Sequence, residues 1–172
     1  MGRSAEADFL GWVTTSRDGL RKTAYLLCGD WFLADDLVQD ALARLLGVWG
    51  RVAASGDPGP YARKILVNLY LDHRRRPSRR EVSLAELADR EGVEQTNAVD
   101  GDRDRLMTAM CEVPKGQRAV LVLRYWDDLS IEQTAQILGT SASNVRSQAS
   151  RGLDALRAAL EPDPLTAPKE AP

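Results

Sequence analysis

The chain has 172 residues, 44% of them hydrophobic, enough for one ordinary domain or two small ones with a real core. Its formal net charge of −2 announces no nucleic-acid binder, and two cysteines with a single histidine exclude a zinc cluster or a disulfide framework. No apolar run is long enough for a signal peptide or a membrane span, so the expectation is a cytoplasmic protein without membrane insertion.

In chain order, residues 9–27 read as a pair of helices. Phe9, Trp12 and Val13 form one stripe and Leu20, Ala24 and Leu27 another, before a break at Gly29-Asp30. "ADDLVQDALARLLGVW" follows with Leu37, Ala41, Leu45 and Val48 at helical spacing, and Asp35, Asp36, Gln39, Asp40 and Arg44 mostly off that face. "SGDPGP" is a turn. "YARKILVNLYLDHRRR" is a further helix with Ile65, Leu66, Leu69 and Tyr70 inward, ending before Pro77. Residues 1–76 thus form an N-terminal helical unit.

Residues 77–103 lose the periodicity and read as a flexible acidic linker. A second helical unit, 104–160, contains "RLMTAMCEV", a stop at Pro114, "QRAVLVLRYW" and a final helical pair. Residues 161–172 are a proline-rich, disordered tail. With no strand pattern of convincing length, the fold class is all-α: two small helical domains joined by a linker.

The near-neutral charge total hides a basic block. Residues 61–80 hold Arg63, Lys64, Arg74, Arg75, Arg76, Arg79 and Arg80 against Asp72 alone, and local charge is what a phosphate backbone feels.

The pattern closest to chemistry is "SIEQTAQILGTSASNVRSQASRGLDALR". Ser130 is a good N-cap, Gly139 sits where a left-handed residue ends a helix, and Ser141 caps the next one. Ala135, Gly139 and Val145 stand at the spacing of a helix-turn-helix. The second helix leaves Asn144, Arg146, Ser147, Ser150 and Arg151 outward, side chains able to bond base edges and phosphates in a major groove. The competing reading is a packed helical hairpin with a solvated face.

"LRKTAYLLCGDWFLADDLVQDALARLLGVW", "YARKILVNLYLDHRRR" and "VPKGQRAVLVLRYWDDLSIEQTAQILGTSASNVRSQASRGLDALR", in this order, resemble the extracytoplasmic-function RNA polymerase sigma factors of bacteria, especially the actinobacterial sigma-E branch. The resemblance implies a non-enzymatic subunit, without cofactor or metal, made of a sigma region 2 bundle and a region 4 helix-turn-helix. It would bind core RNA polymerase and promoter DNA. An anti-sigma factor is a further partner of the kind this family has.

By the same resemblance, Asp36, Gln39 and Asp40 dock on the polymerase. Tyr61, Arg63, Lys64, Asn68, Arg74, Arg75 and Arg76 serve −10 recognition and melting, and Asn144, Arg146, Ser147, Ser150 and Arg151 read the −35 element. Arg124 is a candidate phosphate contact. Asp40 stands where the family usually has glutamate and Tyr61 where it often has tryptophan. Without a partner the two domains are expected to move freely about the linker.

A helix-turn-helix regulator that does not replace the sigma subunit is the alternative. It has no reason to carry both "DLVQD" and the basic helix around Asn68. A DNA-acting enzyme lacks a nucleophile or carboxylate centre in the first unit. Trp12, Trp31, Trp49, Leu121, Val122 and Trp126 are expected in the core, and Cys28 and Cys111 as buried small apolar residues.

Overall fold

The computed structural model describes residues 3–73 and 99–161, all of the regular structure among them helical. The linker residues 77–98, Arg74, Arg75, Arg76 and the tail from 162 lie outside them. Helix α1 (Arg3–Cys28) is one helix, not the expected pair. Phe9 and Leu20 are eleven residues apart, about three whole turns, so the two stripes are a single face. The polar interval is absorbed by Thr14 and Thr15, whose hydroxyls donate to the helix's own carbonyls at Leu10 and Trp12, 2.9 Å each.

Gly29, at φ +74°, ends α1, and Asp30 caps α2 (Trp31–Ala53) by accepting from the Phe32 and Leu33 amides. Helix α3 (Gly59–Asp72) carries Pro60 in its first turn, where the missing N–H costs nothing. Helix α4 (Val99–Glu112) begins inside the stretch expected to be linker up to residue 103. Then come α5 (Lys115–Leu121), a π-helical turn (Val122–Trp126), α6 (Ile131–Leu138) and α7 (Ala142–Leu160).

The first unit packs α1, α2 and α3 around Ala24, Leu27, Val38, Leu45 and Leu66, with Phe9 edge-on to Trp49 at 5.1 Å and Tyr25 stacked on Trp31 at 3.9 Å. Its buried cluster does not stop at the unit's edge. It continues into Val113, Ala119, Leu121, Val122, Leu123 and Ile137. Among the described residues the two helical units share one core. Apolar faces on both sides leave water together, which no separated arrangement achieves.

Polar groups close the seam. Arg118, 6% exposed, donates to the Leu27 carbonyl at 2.9 Å and to the Cys111 and Val113 carbonyls. One cation thus satisfies carbonyls at the C-terminal ends of α1 and of the α4 segment, where the helix dipoles are negative. Lys115 reaches the His73 carbonyl and lies 5.1 Å from the Tyr70 ring.

Two expectations about single residues change. Trp126 is 54% exposed rather than in the core. The π-helical turn puts an extra residue into the last turn of this segment and swings Tyr125 and Trp126 outward, while Leu121 and Val122 stay buried. Cys28 and Cys111 are only half-buried.

Candidate nucleic-acid interface

The helix-turn-helix forms as its local sequence dictates. Ser130 and Gln133 make a reciprocal capping box: the Gln133 amide donates to Ser130 Oγ at 3.1 Å, and the Ser130 amide to Gln133 Oε1 at 2.7 Å. Gly139 is left-handed at φ +63°, and the Thr140 amide closes the turn onto the Ala135 carbonyl. Ser141 then caps α7 by accepting from the Asn144 amide at 3.1 Å. A small core of Val120, Ala135 and Val145 fixes the angle between the helices. Gly152 sets the α5–α7 approach, since a Cβ there would stand 3.1 Å from Leu121 Cγ. The sequence reading placed Ala135 in the helix-turn-helix spacing and missed Gly152.

Asn144, Arg146, Ser147, Ser150 and Arg151 are all exposed. At 100° per residue they span an arc of about 160° opposite buried Val145. Asn144 donates to Thr140 Oγ1 at 2.7 Å and Ser147 to the Ser143 carbonyl at 3.1 Å, so both are held but remain accessible. Arg146 lies 4.0 Å from Glu132, both side chains more than half exposed, a pair that contributes little. Arg146 and Ser150 also line a groove of about 360 Å³ with Arg124, Tyr125 and Arg157. Tyr125, 60% exposed with Arg124 6.0 Å from its ring, escaped the sequence reading because only the π-helical turn brings it out. Arg124 is engaged by the Leu129 carbonyl.

Helix α3 divides the residues assigned to −10 recognition. Tyr61, half-buried, and the exposed Lys64 and Asn68 lie along one strip of the helix. Arg63 faces the other way and pairs with Asp127 of the second unit, Nε to Oδ2 at 3.1 Å. Asp127 Oδ1 accepts from Thr23 of α1 at 2.9 Å, and its side chain is 7% exposed. Arg63 is therefore not brought to the Asn68 strip.

Burial raises the Asp127 pKa, outweighing the Thr23 hydrogen bond and the Arg63 charge that lower it. A carboxyl with a raised folded-state pKa adds stability that is full below the unfolded value and is lost as pH rises through the folded value. Asp127→Asn is accordingly expected to be at least as stable as the parent at pH 7. Its Tm advantage should shrink as pH falls toward about 4, close to the unfolded carboxyl pKa. A Tm difference that stayed constant with pH would contradict this.

Helix α2 carries the third surface. Asp36, Gln39 and Asp40 are all exposed, on the face opposite Ala34, Leu37, Ala41 and Leu45. Phe32, 61% exposed, and Leu46, 38% exposed, lie on the same stripe, so the carboxylates are framed by apolar side chains. Phe32 is a candidate contact the sequence reading missed; an aromatic one turn before Asp36 and off the apolar face was the available signal. Asp35 is separate from this set, held by Arg21 at 2.7 and 3.2 Å. Among the described residues no cluster of His, Cys, Asp or Glu is placed to hold a metal, and no helix is long and apolar enough to cross a membrane.

A helical bundle with an exposed acidic–apolar stripe is packed on a helix-turn-helix with an exposed basic–polar helix, the outline of a two-part DNA-binding protein. Residues 12–80 match the family model for Sigma-70 region 2, and residues 103–156 that for Sigma-70, region 4. Over 94% of this chain and 89% of the relative, it is 37% identical to an RNA polymerase sigma-E factor of Streptomyces antibioticus. The sigma-E factor of Streptomyces coelicolor is 33% identical over 89% of this chain and 86% of its own. The ECF RNA polymerase sigma factor SigC of Mycobacterium tuberculosis is 30% identical over 96% and 88%.

Among solved structures, the sigma factor RpoE of Bartonella quintana, in complex with the anti-sigma factor NepR, superposes with a TM-score of 0.69. That match has 25% identity and covers 91% of this chain and 98% of that one. The chain belongs to the extracytoplasmic-function RNA polymerase sigma factors. Its partners are core RNA polymerase and promoter DNA, and its activity is promoter-specific initiation of transcription.

Proposed function

We propose that three separate surfaces divide the work. The α2 stripe of Asp36, Gln39 and Asp40, framed by Phe32, docks on core polymerase. The α3 strip of Tyr61, Lys64 and Asn68 meets the −10 element, helped by Arg74, Arg75 and Arg76, and Arg63 joins it once Asp127 lets go. Asn144, Arg146, Ser147, Ser150 and Arg151 of α7 read the −35 element, with Arg124 and Tyr125 beside them. The functional division is 1–76 for docking and −10 recognition, 77–103 as connection and 104–160 for −35 recognition, with 161–172 as tail. The protein works in the cytoplasm without catalytic chemistry of its own. An anti-sigma factor is a further partner, as in the solved complex of the similar Bartonella quintana sigma factor.

The observation that carries this reading is that Asp36, Gln39 and Asp40, Lys64 and Asn68, and the α7 set are exposed while the apolar faces of the same helices are buried. Size adds a requirement. Promoter elements about 25 base pairs apart are separated by roughly 85 Å of B-form DNA at about 3.4 Å per pair. A compact chain of this length has a radius of gyration of only about 16 Å. The closed arrangement cannot hold both elements, so promoter binding requires the units to part. The stretch 74–98 has a contour length of about 85 Å when fully extended, enough to let them.

Run-off transcription with core polymerase tests the reading. Asp36→Ala is expected to weaken core binding roughly tenfold, equivalent to about 1.4 kcal/mol, and to leave −35 duplex binding unchanged. Normal core binding by that variant would remove the docking assignment.

A further inference from the structure

The seam between the units brings the chain's two cysteines together. Cys28 ends α1 and Cys111 lies in the last turn of α4. Cys28 Sγ donates to the Asp30 carbonyl at 3.1 Å, across the turn that Gly29 makes. Cys111 Sγ packs on the same turn, so close that a Cβ on Gly29 would stand 2.5 Å from it. Both sulfurs therefore lie on residues 28–30, one from each helical unit. Both are half-buried and line one cavity of about 670 Å³ between the units, with Tyr70, Lys115 and Arg118 in its wall. A small oxidant has access, and no other cysteine exists to compete.

We infer that Cys28 and Cys111 form a reversible disulfide that locks the two helical units in the closed arrangement. The lock rests on the reading that promoter engagement requires them to part. While it holds, α3 stays packed against the second unit and Arg63 stays on Asp127.

The chemistry needs a hydroperoxide as oxidant. Cys111 Sγ attacks the peroxide, an S–O bond forms, the O–O bond breaks, and an alcohol or water leaves. Cys28 Sγ then attacks the Cys111 sulfenic acid, an S–S bond forms, and water departs with the Cys28 proton. Burial pushes the Cys28 thiol up to about 12, with Cys111 near enough to contribute. A thiol held protonated attacks slowly, so closing the disulfide through Cys28 is the slow step. Gly29 belongs to the device: its left-handed φ makes the turn, and its missing side chain leaves room for the Cys111 sulfur.

The test uses the full-length protein, reduced and then treated with hydrogen peroxide. Oxidation should remove the mass of two hydrogens and yield a Cys28–Cys111 linked peptide on non-reducing digestion. Run-off transcription with core polymerase should fall at least tenfold and recover with dithiothreitol. Cys28→Ser and Cys111→Ser should each abolish the link and keep transcription after peroxide. Amide exchange in α5 should slow in the oxidised parent, which reads the closed state without relying on transcription. Oxygen adducts on separate cysteines without a linked peptide would overturn the inference. So would a linked protein as active as the reduced one, or one with unchanged α5 exchange. If the reduced protein itself gave no promoter-dependent transcript, the sigma reading would fail instead, and the linked peptide and the exchange data would still decide whether the lock exists.

Discussion

Arg118→Ala is expected to lower the stability of the protein by about 2–4 kcal/mol, since each hydrogen bond from a charged donor contributes about 1.5–3 kcal/mol and part of the sum is offset. The guanidinium is 6% exposed and serves the carbonyls of Leu27, Cys111 and Val113. Alanine leaves those acceptors without their donor and opens a void between the units. Recovering the desolvation of the lost cation offsets part of this, which keeps the total below the sum of the hydrogen bonds. Urea unfolding checks it through the midpoint and the slope. A lower midpoint with one transition means the seam weakened as part of the whole; two transitions mean Arg118 was the main tie between the units. Arg118→Lys should fall between parent and alanine, because an ammonium lacks the fork that reaches three carbonyls at once. A loss below about 1 kcal/mol, the net contribution of one ordinary hydrogen bond, would mean that water replaces the guanidinium.

The second large effect is on promoter binding. Arg146→Ala and Arg151→Ala are each expected to weaken −35 duplex binding by about 1–3 kcal/mol if they hold a base edge in bidentate fashion. The two kinds of contact separate by salt. Losing a base contact relaxes specificity at one position and leaves the salt slope alone, whereas losing a phosphate contact weakens all sequences alike and lowers the slope by about one. Arg146 has a competitor in Glu132 at 4.0 Å, but both side chains are more than half exposed and release costs little. Electrophoretic or fluorescence titration of a −35 duplex at several salt concentrations gives both quantities. Wild-type affinity in both variants would remove α7 as the reading helix.

The helix-turn-helix was legible in the sequence at its two caps, Ser130 and Ser141, and its turn, Gly139, while the return bond from Gln133 came only with the structure. Ser130 with Gln133, Gly139, and Ser141 with Asn144 interact within a few residues, so their geometry follows from local chemistry. The outward set on α7 and the Asp36–Gln39–Asp40 face follow from helical periodicity once the buried side is known. Domain seams follow no such rule. Arg63 meets Asp127 across 64 residues of sequence, Thr23 meets Asp127 across 104, and Arg118 meets the Leu27 carbonyl across 91. Nothing at either end of such a pair marks it. Arg63 in the basic block reads as a phosphate contact until the fold turns it toward a carboxylate.

What the sequence determined by itself was the family, the all-helical class, the capped helix-turn-helix and the polar faces, because each rests on short-range spacing or on the order of motifs. The tertiary structure alone decided that α1 is one helix, that Trp126 is turned out by a π-helical turn, that Arg63 is taken by Asp127, and that Cys28 and Cys111 share a turn. These depend on which apolar faces find each other when the two units bury a common core, and that choice is made by the sum of contacts over the whole chain, not by any one stretch of it.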